Sequence, residues 1–474
     1  MSHTENILGM LSDKIDQRND LMITPPWVAK DMVNLLPEEV WNKNTTFLDP
    51  ACKSGIFLHE IYLKLMETES LIKEFPDKAE RRQHILHNQL FGIALNPMCQ
   101  LTTARTVYGT IKGENNIKLI DNYITIVKNK DTKFFKEAIK EQFGEMKFDV
   151  IIGNPPYHEE SGGRNATPLY NRFMSMGLKL SDINLWITPS RWFSGGIGLD
   201  NFRHEILSCN RIALIKNYKQ AQKIFNGVDI AGGVCITSIC KHSDTINFID
   251  GETNNSIDVD SNFIKEKEML LDRCEAYSIV DKTKSPKNLD SIVLPLNAFG
   301  LNANFQGSMI SDEYNNIEVL GSYDNRTYIS KDGLEKGVDI VNKYKIITGK
   351  VNPDRGGVNN SNSSNVINKP RILAPNQICT FSYLIVGATI NEYCANALYK
   401  YIKTKFTRFL VLVTLASMNI SARNFMFVPL QDFSEQSDIN WSQSISNIDQ
   451  LLYKKYNLSD EEIAYIEKTI KPMQ

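Results

Sequence analysis

Between residues 45 and 155 short apolar runs alternate with amphipathic helical periods, and this alternation restricts the fold more than any other feature of the chain. TTFLDP and QLFGIALNP read as strands. Between them IFLHEIYLKLMETESLI places apolar residues at i, i+3, i+4 and i+7, the period of a helix with one buried face. A helical run follows the second strand through Arg105. NYITIVKN and KFDVIIGNPP are expected as further strands, separated by the charged helix TKFFKEAIKEQFG. Strands alternating with helices call for βαβ units on a parallel sheet, where ligands bind at the carboxyl ends of the strands. The pattern continues through NLWITPSRWF, IALIKNY and GGVCITSIC, so the sheet is expected to run to about residue 245.

At 474 residues the chain exceeds one compact domain, and two or three are expected. Hydrophobic residues at 42% and charged residues at 23% exclude a disordered or collagen-like chain. The eight cysteines form no CxxC pair, which fits reduced thiols better than a disulfide framework or a zinc site; no metal is expected. The polar amino terminus and the lack of a long apolar stretch predict a cytoplasmic protein without a membrane span. Residues 1–245 are expected to form an α/β domain. Residues 246–330, rich in Asn, Asp and Ser, read as a connector or inserted element, and 331–474 as a further domain. The net charge of -2 hides an asymmetry: residues 341–430 carry eleven Lys/Arg against two acids, the electrostatic footprint of nucleic-acid binding. Arg355, Lys403, Lys405 and Arg408 are the leading candidates there. RGGVNNSNSSN (355–365) reads as a flexible loop.

Two loops carry the chemistry. Asn154-Pro155-Pro156-Tyr157 ends the FDVIIG strand, and consecutive prolines can continue neither ladder nor helix. They hold the Asn154 amide oxygen and the Pro155 carbonyl side by side, two acceptors matched to the two protons of an exocyclic NH₂. Tyr157 adds a face for a planar base. Asp49-Pro50-Ala51-Cys52-Lys53-Ser54-Gly55 also follows a strand and opens a helix. Its small residues allow close approach of a ligand, and its acid can accept from an ammonium or a hydroxyl. Upstream, ITPPWVA leads into a helix that Thr24 is placed to cap.

In this order ITPPWVA, DPACKSG, FGIALNP and NPPY resemble the γ class of S-adenosylmethionine-dependent DNA adenine-N6 methyltransferases. The carboxyl end resembles the Eco57I-like restriction–modification methylases. The resemblance implies a Rossmann-like methyltransferase sheet with helices on both faces, followed by a C-terminal α+β target-recognition domain that binds double-stranded DNA. It assigns Asn154, Pro155, Pro156 and Tyr157 to the target base, with Phe225 as a second aromatic. It gives Thr24, Pro25, Asp49, Ala51, Lys53, Gly55, Asn96 and Asp131 to S-adenosylmethionine, and it brings in a cognate restriction endonuclease as a candidate partner. Two positions depart from the family pattern: Lys53 stands where a glycine is usual, and Asn96 where an acid commonly meets the ribose. The competing expectations are methylation of RNA or of a protein glutamine, and a DNA-recognition subunit without catalysis. A nuclease domain ahead of the first motif is not expected, since that motif begins near residue 22.

Overall fold

The structure, a computed structural model, describes residues 22–129, 132–144, 147–158, 167–196, 198–228, 230, 232–314, 316–353, 363–415 and 419–473. The chain divides into two compact units, the first ending at Leu270 and the second beginning at Leu271.

The first unit is built on one nine-stranded sheet. Its strands are β1 (Phe47–Cys52), β2 (Leu90–Ala94), β3 (Ile117–Lys118), β4 (Val150–Gly153), β5 (Ile183–Pro189), β6 (Ile212–Tyr218), β7 (Val234–Ile239), β8 (Thr245–Asp250) and β9 (Ser256–Asp260). They lie in the order β3-β2-β1-β4-β5-β7-β6-β8-β9. The β3-to-β5 half is wholly parallel, so the carboxyl ends of those five strands open onto one edge. β1, β2 and β4 are buried along their whole length, which is why they read as unbroken apolar runs. The sheet is mixed rather than parallel throughout: β7 runs antiparallel between β5 and β6, and β9 antiparallel to β8.

Two expectations about organisation are corrected. NYITIVKN is not a strand; Tyr123–Lys128 is a short helix, and the third strand is the two-residue β3 just ahead of it. Nor do residues 246–330 form a connector. Their first part completes the sheet as β8 and β9, and the rest, from Leu271, belongs to the second unit. The polar composition misled because β9 is the edge strand and β8 lies next to it, both with partly exposed faces.

The second unit is α+β. It holds two three-stranded sheets, β11-β10-β14 and β13-β12-β15, from strands β10 (Ile317–Leu320), β11 (Arg326–Ile329), β12 (Tyr344–Gly349), β13 (Asn368–Leu373), β14 (Gln377–Cys379) and β15 (Tyr383–Thr389). Phe299, Val319, Ile347, Ile378 and Ile385 share one buried core between them. Its helices are capped as their sequences dictate: Asn391 and Thr404 accept N–H bonds at the starts of Glu392–Lys403 and Lys405–Leu412, and Ser459 forms a capping box with Glu462.

Candidate active site

β4 runs directly into Asn154-Pro155-Pro156-Tyr157, and all four residues are buried. The prolines have no N–H to donate, and pairing with β5 stops at Gly153. Asn154 Nδ2 donates to the Met22 carbonyl and to Thr24 Oγ1, each at 3.1 Å. A carbonyl can only accept, so the contact with Met22 fixes which end of the amide faces it. Asn154 Oδ1 is therefore turned away, buried, and without a hydrogen-bond partner among the described residues. An unmatched buried acceptor costs ~1–3 kcal/mol, a deficit that a ligand bearing N–H groups would remove.

Tyr157 is 5% exposed and its hydroxyl likewise has no partner among the described residues. Burial pushes that phenol well above its ordinary range, so it stays protonated. Its ring lies 6.3 Å from Tyr170 at 74° and 6.4 Å from Phe225 at 79°. The two aromatics expected to work together are thus neighbours. They meet edge to face, so one flat base cannot stack on both at once.

The DPACKSG loop is shaped by Pro50. Lacking an N–H, it interrupts the ladder with β2, whose register shifts between Asp49, opposite Gly92, and Cys52, opposite Ala94. Asp49 accepts from the Ala51 N–H at 2.9 Å, and the Tyr123 hydroxyl anchors the Pro50 carbonyl at 2.6 Å. The Asp49 carboxyl is 2% exposed, and burial raises its pKa from 3.8 to about 6 despite the Ala51 N–H, the Cys52 thiol and Lys53, which all pull it down. Gly55 has φ +78, and a Cβ there would sit 2.9 Å from Thr103 Cγ2 and 3.0 Å from its Cα. Only glycine fits, and the Ile56–Glu67 helix starts from it.

Lys53 does not point outward. It is buried, and its Nζ donates to the Met22 carbonyl at 3.1 Å. One carbonyl therefore receives both Lys53 and Asn154, tying the DPACKSG loop to the NPPY turn. Thr24 does not cap the Pro26–Asn34 helix, where Pro25 takes the N-cap position with no side-chain bond; it holds Asn154 instead. Asn96 caps the Pro97–Tyr108 helix through Oδ1, which accepts from the Cys99 N–H at 2.9 Å. What it has left for a ribose is an NH₂ donor and one lone pair on Oδ1, not the two oxygens of a carboxylate.

Asp131 and Arg355 lie outside the described residues. A residue the sequence reading passed over, Asp121, follows β3 and lines a cavity of about 470 Å³ with Leu119, Asn122, Phe134 and Glu141. The available signal was an acid directly behind the short apolar run IKLI. The expected DNA contacts Lys403, Lys405 and Arg408 are corrected, for each is engaged within its own unit. Arg408 is fully buried and donates to the carbonyls of Lys403, Thr404, Asn365 and Lys471. Lys405 pairs with Glu467, and Lys403 lies over the Tyr399 ring. Among the described residues no helix is long and apolar enough to cross a membrane.

Comparison with known proteins bears on the same region. A curated relative from Mycoplasma pneumoniae, described as an uncharacterized adenine-specific methylase, is 28% identical over 49% of this chain and 69% of its own length. Among solved structures, the type I restriction-modification system methyltransferase subunit from Streptococcus thermophilus is 14% identical, covering 56% of each chain at a TM-score of 0.37. The type IIL restriction-modification enzyme MmeI in complex with DNA is 12% identical, covering 97% of this chain and 76% of its own at 0.45. This chain thus spans little more than half the length of the type I subunit it matches. The family model described as Eco57I restriction-modification methylase matches residues 88–225, from the residues just ahead of β2 through the NPPY turn to Phe225. Over residues 88–225, which include the NPPY turn and Phe225 but not the DPACKSG loop, the chain is similar to the Eco57I restriction-modification methylases.

Proposed function

We propose that the chain transfers a methyl group from S-adenosylmethionine to N6 of an adenine flipped out of duplex DNA, as the modification component of a restriction–modification system with a cognate endonuclease as candidate partner. The observation that carries this reading is the Asn154 amide: its nitrogen is held by Met22 and Thr24, and its buried oxygen has no donor among the described residues. That oxygen and the Pro155 carbonyl would accept the two N6 protons, orient the nitrogen and receive the positive charge that develops on it. Tyr157 would supply the face on which the extruded base stacks, against a flipping cost of a few kcal/mol.

The residues present fit the methyl donor. Asp49 is a buried carboxyl whose charge burial disfavours, so an ammonium or hydroxyl brought against it would be welcome. Asp121 and Asn96 follow the neighbouring strands on the same edge of the sheet. When bound, the donor supplies a sulfonium methyl electrophilic enough for in-line transfer without a covalent enzyme intermediate.

The test is transfer of labelled methyl from S-adenosylmethionine to unmodified duplex DNA, followed by nucleoside analysis. N6-methyladenine in a fixed sequence context is expected, and Asn154→Ala is expected to lose at least about a hundredfold in rate with donor binding retained. Full activity in that variant would remove the role given to Asn154. No incorporation with donor binding intact would shift the substrate to RNA or a protein glutamine, and absence of donor binding would favour a recognition subunit.

A further inference from the structure

Three of the cations read as a nucleic-acid interface are turned inward, but others gather at the β10–β11 turn of the second unit. Tyr323, at the tip of that turn, is fully exposed at 102% relative accessibility. Its backbone is left-handed (φ 58°, ψ 27°), as is that of Asp324 at φ 65°. A tyrosine here is conformationally worse than glycine or asparagine, and folding buries none of its ring. Val366 and Lys369 are also left-handed, at φ 66° and 45°, and Lys369 reaches the same turn. Strained non-glycine backbone of this kind persists where the surroundings over-determine it, and it clusters at functional sites.

The surroundings here do over-determine it. Asp324 Oδ1 accepts from Arg371 at 2.7 Å and from the Tyr383 hydroxyl at 3.1 Å, while Oδ2 faces Lys369 Nζ at 3.3 Å. Bonding from Arg371 holds that carboxyl down at about 2, so the clamp stays charged at any working pH. Ser322 Oγ meets Ser382 Oγ at 2.7 Å and donates to the Ala303 carbonyl at 3.1 Å. Next to Ser382, Lys350 Nζ lies 3.4 Å from the centroid of the Phe381 ring. Lys369 and Arg371 thus bond Asp324, the acid that fixes the turn carrying the exposed aromatic, and the Lys350 N–H bonds the carbonyl of Ser382, whose hydroxyl meets Ser322 of the same turn. Cations beside a rigidly presented ring match a polyanion that carries flat bases, with phosphates on the lysines and a base on the ring.

We infer that Tyr323 is an aromatic probe through which the second unit engages duplex DNA, with Lys350 and Lys369 on the adjacent backbone. The inference rests on the DNA reading above. Methylated positions are first mapped with the wild-type chain, and a short duplex holding one such site is then compared with one lacking it. Tyr323→Ala is expected to raise Kd and KM for the site duplex about tenfold with kcat within about twofold, and Tyr323→Phe to restore both. Replacing Lys350 and Lys369 together by Ala is expected to weaken both duplexes alike and to lower the salt slope by about two. Wild-type Kd and KM in Tyr323→Ala, or a fall in kcat alone, would overturn the inference while leaving the methylation reading in place. A wild-type chain that neither binds nor methylates duplex DNA would overturn the proposed function, and this inference with it.

Discussion

Asp49 gives the sharpest test of how the site is built. Its carboxyl is buried at the end of β1, and burial raises its pKa from 3.8 to about 6. A carboxyl whose folded value lies above its unfolded one favours folding only when protonated. That advantage is complete below about pH 4 and is lost as pH rises through 6. Above pH 7 the cost of carrying the charge is about 3 kcal/mol, and at pH 5 about half of that. Asp49→Asn imitates the protonated form and keeps an oxygen for the Ala51 N–H. The variant is therefore expected to be more stable than the wild type by about 3 kcal/mol at pH 8, with the gap closing as pH falls. Urea unfolding of the full chain followed by tryptophan fluorescence suits the measurement, since four of the five tryptophans (27, 41, 186 and 192) lie in the first unit. A variant less stable than the wild type at pH 8, or a gap independent of pH, would refute the argument. The same variant should bind the methyl donor poorly, the stability gained by removing a functional charge being set against activity.

Two further predictions concern single side chains. Thr24→Val removes one of the two acceptors that hold Asn154 Nδ2 and is expected to lower the methyl-transfer rate about tenfold, the worth of a hydrogen bond at ~1–1.5 kcal/mol. A rise in donor Kd with an unchanged rate would instead put Thr24 on the donor. In the second unit, Lys345 is fully buried with Nζ on the Val341 and Ala374 carbonyls, and burial lowers its pKa from 10.5 to about 8. The charged form is penalised below pH 8 and the penalty lifts as pH rises toward 10.5. The stability of wild type relative to Lys345→Met should therefore rise by about 3 kcal/mol over that range, measured by thermal unfolding at pH 7 and 10.5.

What the sequence made legible was local. β1, β2 and β4 are apolar runs stopped by proline or followed by polar loop residues, and such punctuation acts whatever surrounds it. The failures arose where distant partners decide. Tyr123-Ile-Thr-Ile-Val has the composition of a strand, yet it coils into a helix whose Tyr123 hydroxyl bonds the Pro50 carbonyl 73 residues away. A count of Lys403, Lys405 and Arg408 records three charges and not the Tyr399 ring, the Glu467 carboxylate and the backbone carbonyls that hold them. Asn96 was correctly placed at the end of β2, but its oxygen is used in starting the next helix. The orientation of Asn154 was beyond any local reading, because it is set by Met22 and Thr24 more than a hundred residues earlier in the chain.

The Met22 carbonyl has two claimants, Lys53 on one loop and Asn154 on the other. A carboxylate ligand that draws Lys53 Nζ toward itself leaves that carbonyl to Asn154 alone, and the amide is then gripped more firmly with its oxygen still outward. Two binding events that share no atom would in this way sense each other, and reciprocity would make the effect equal in both directions. An NH₂ group seated on Asn154 would tighten the hold on such a carboxylate by the factor with which the carboxylate favours the NH₂ group. The coupling between two substrates would then run through a single peptide oxygen.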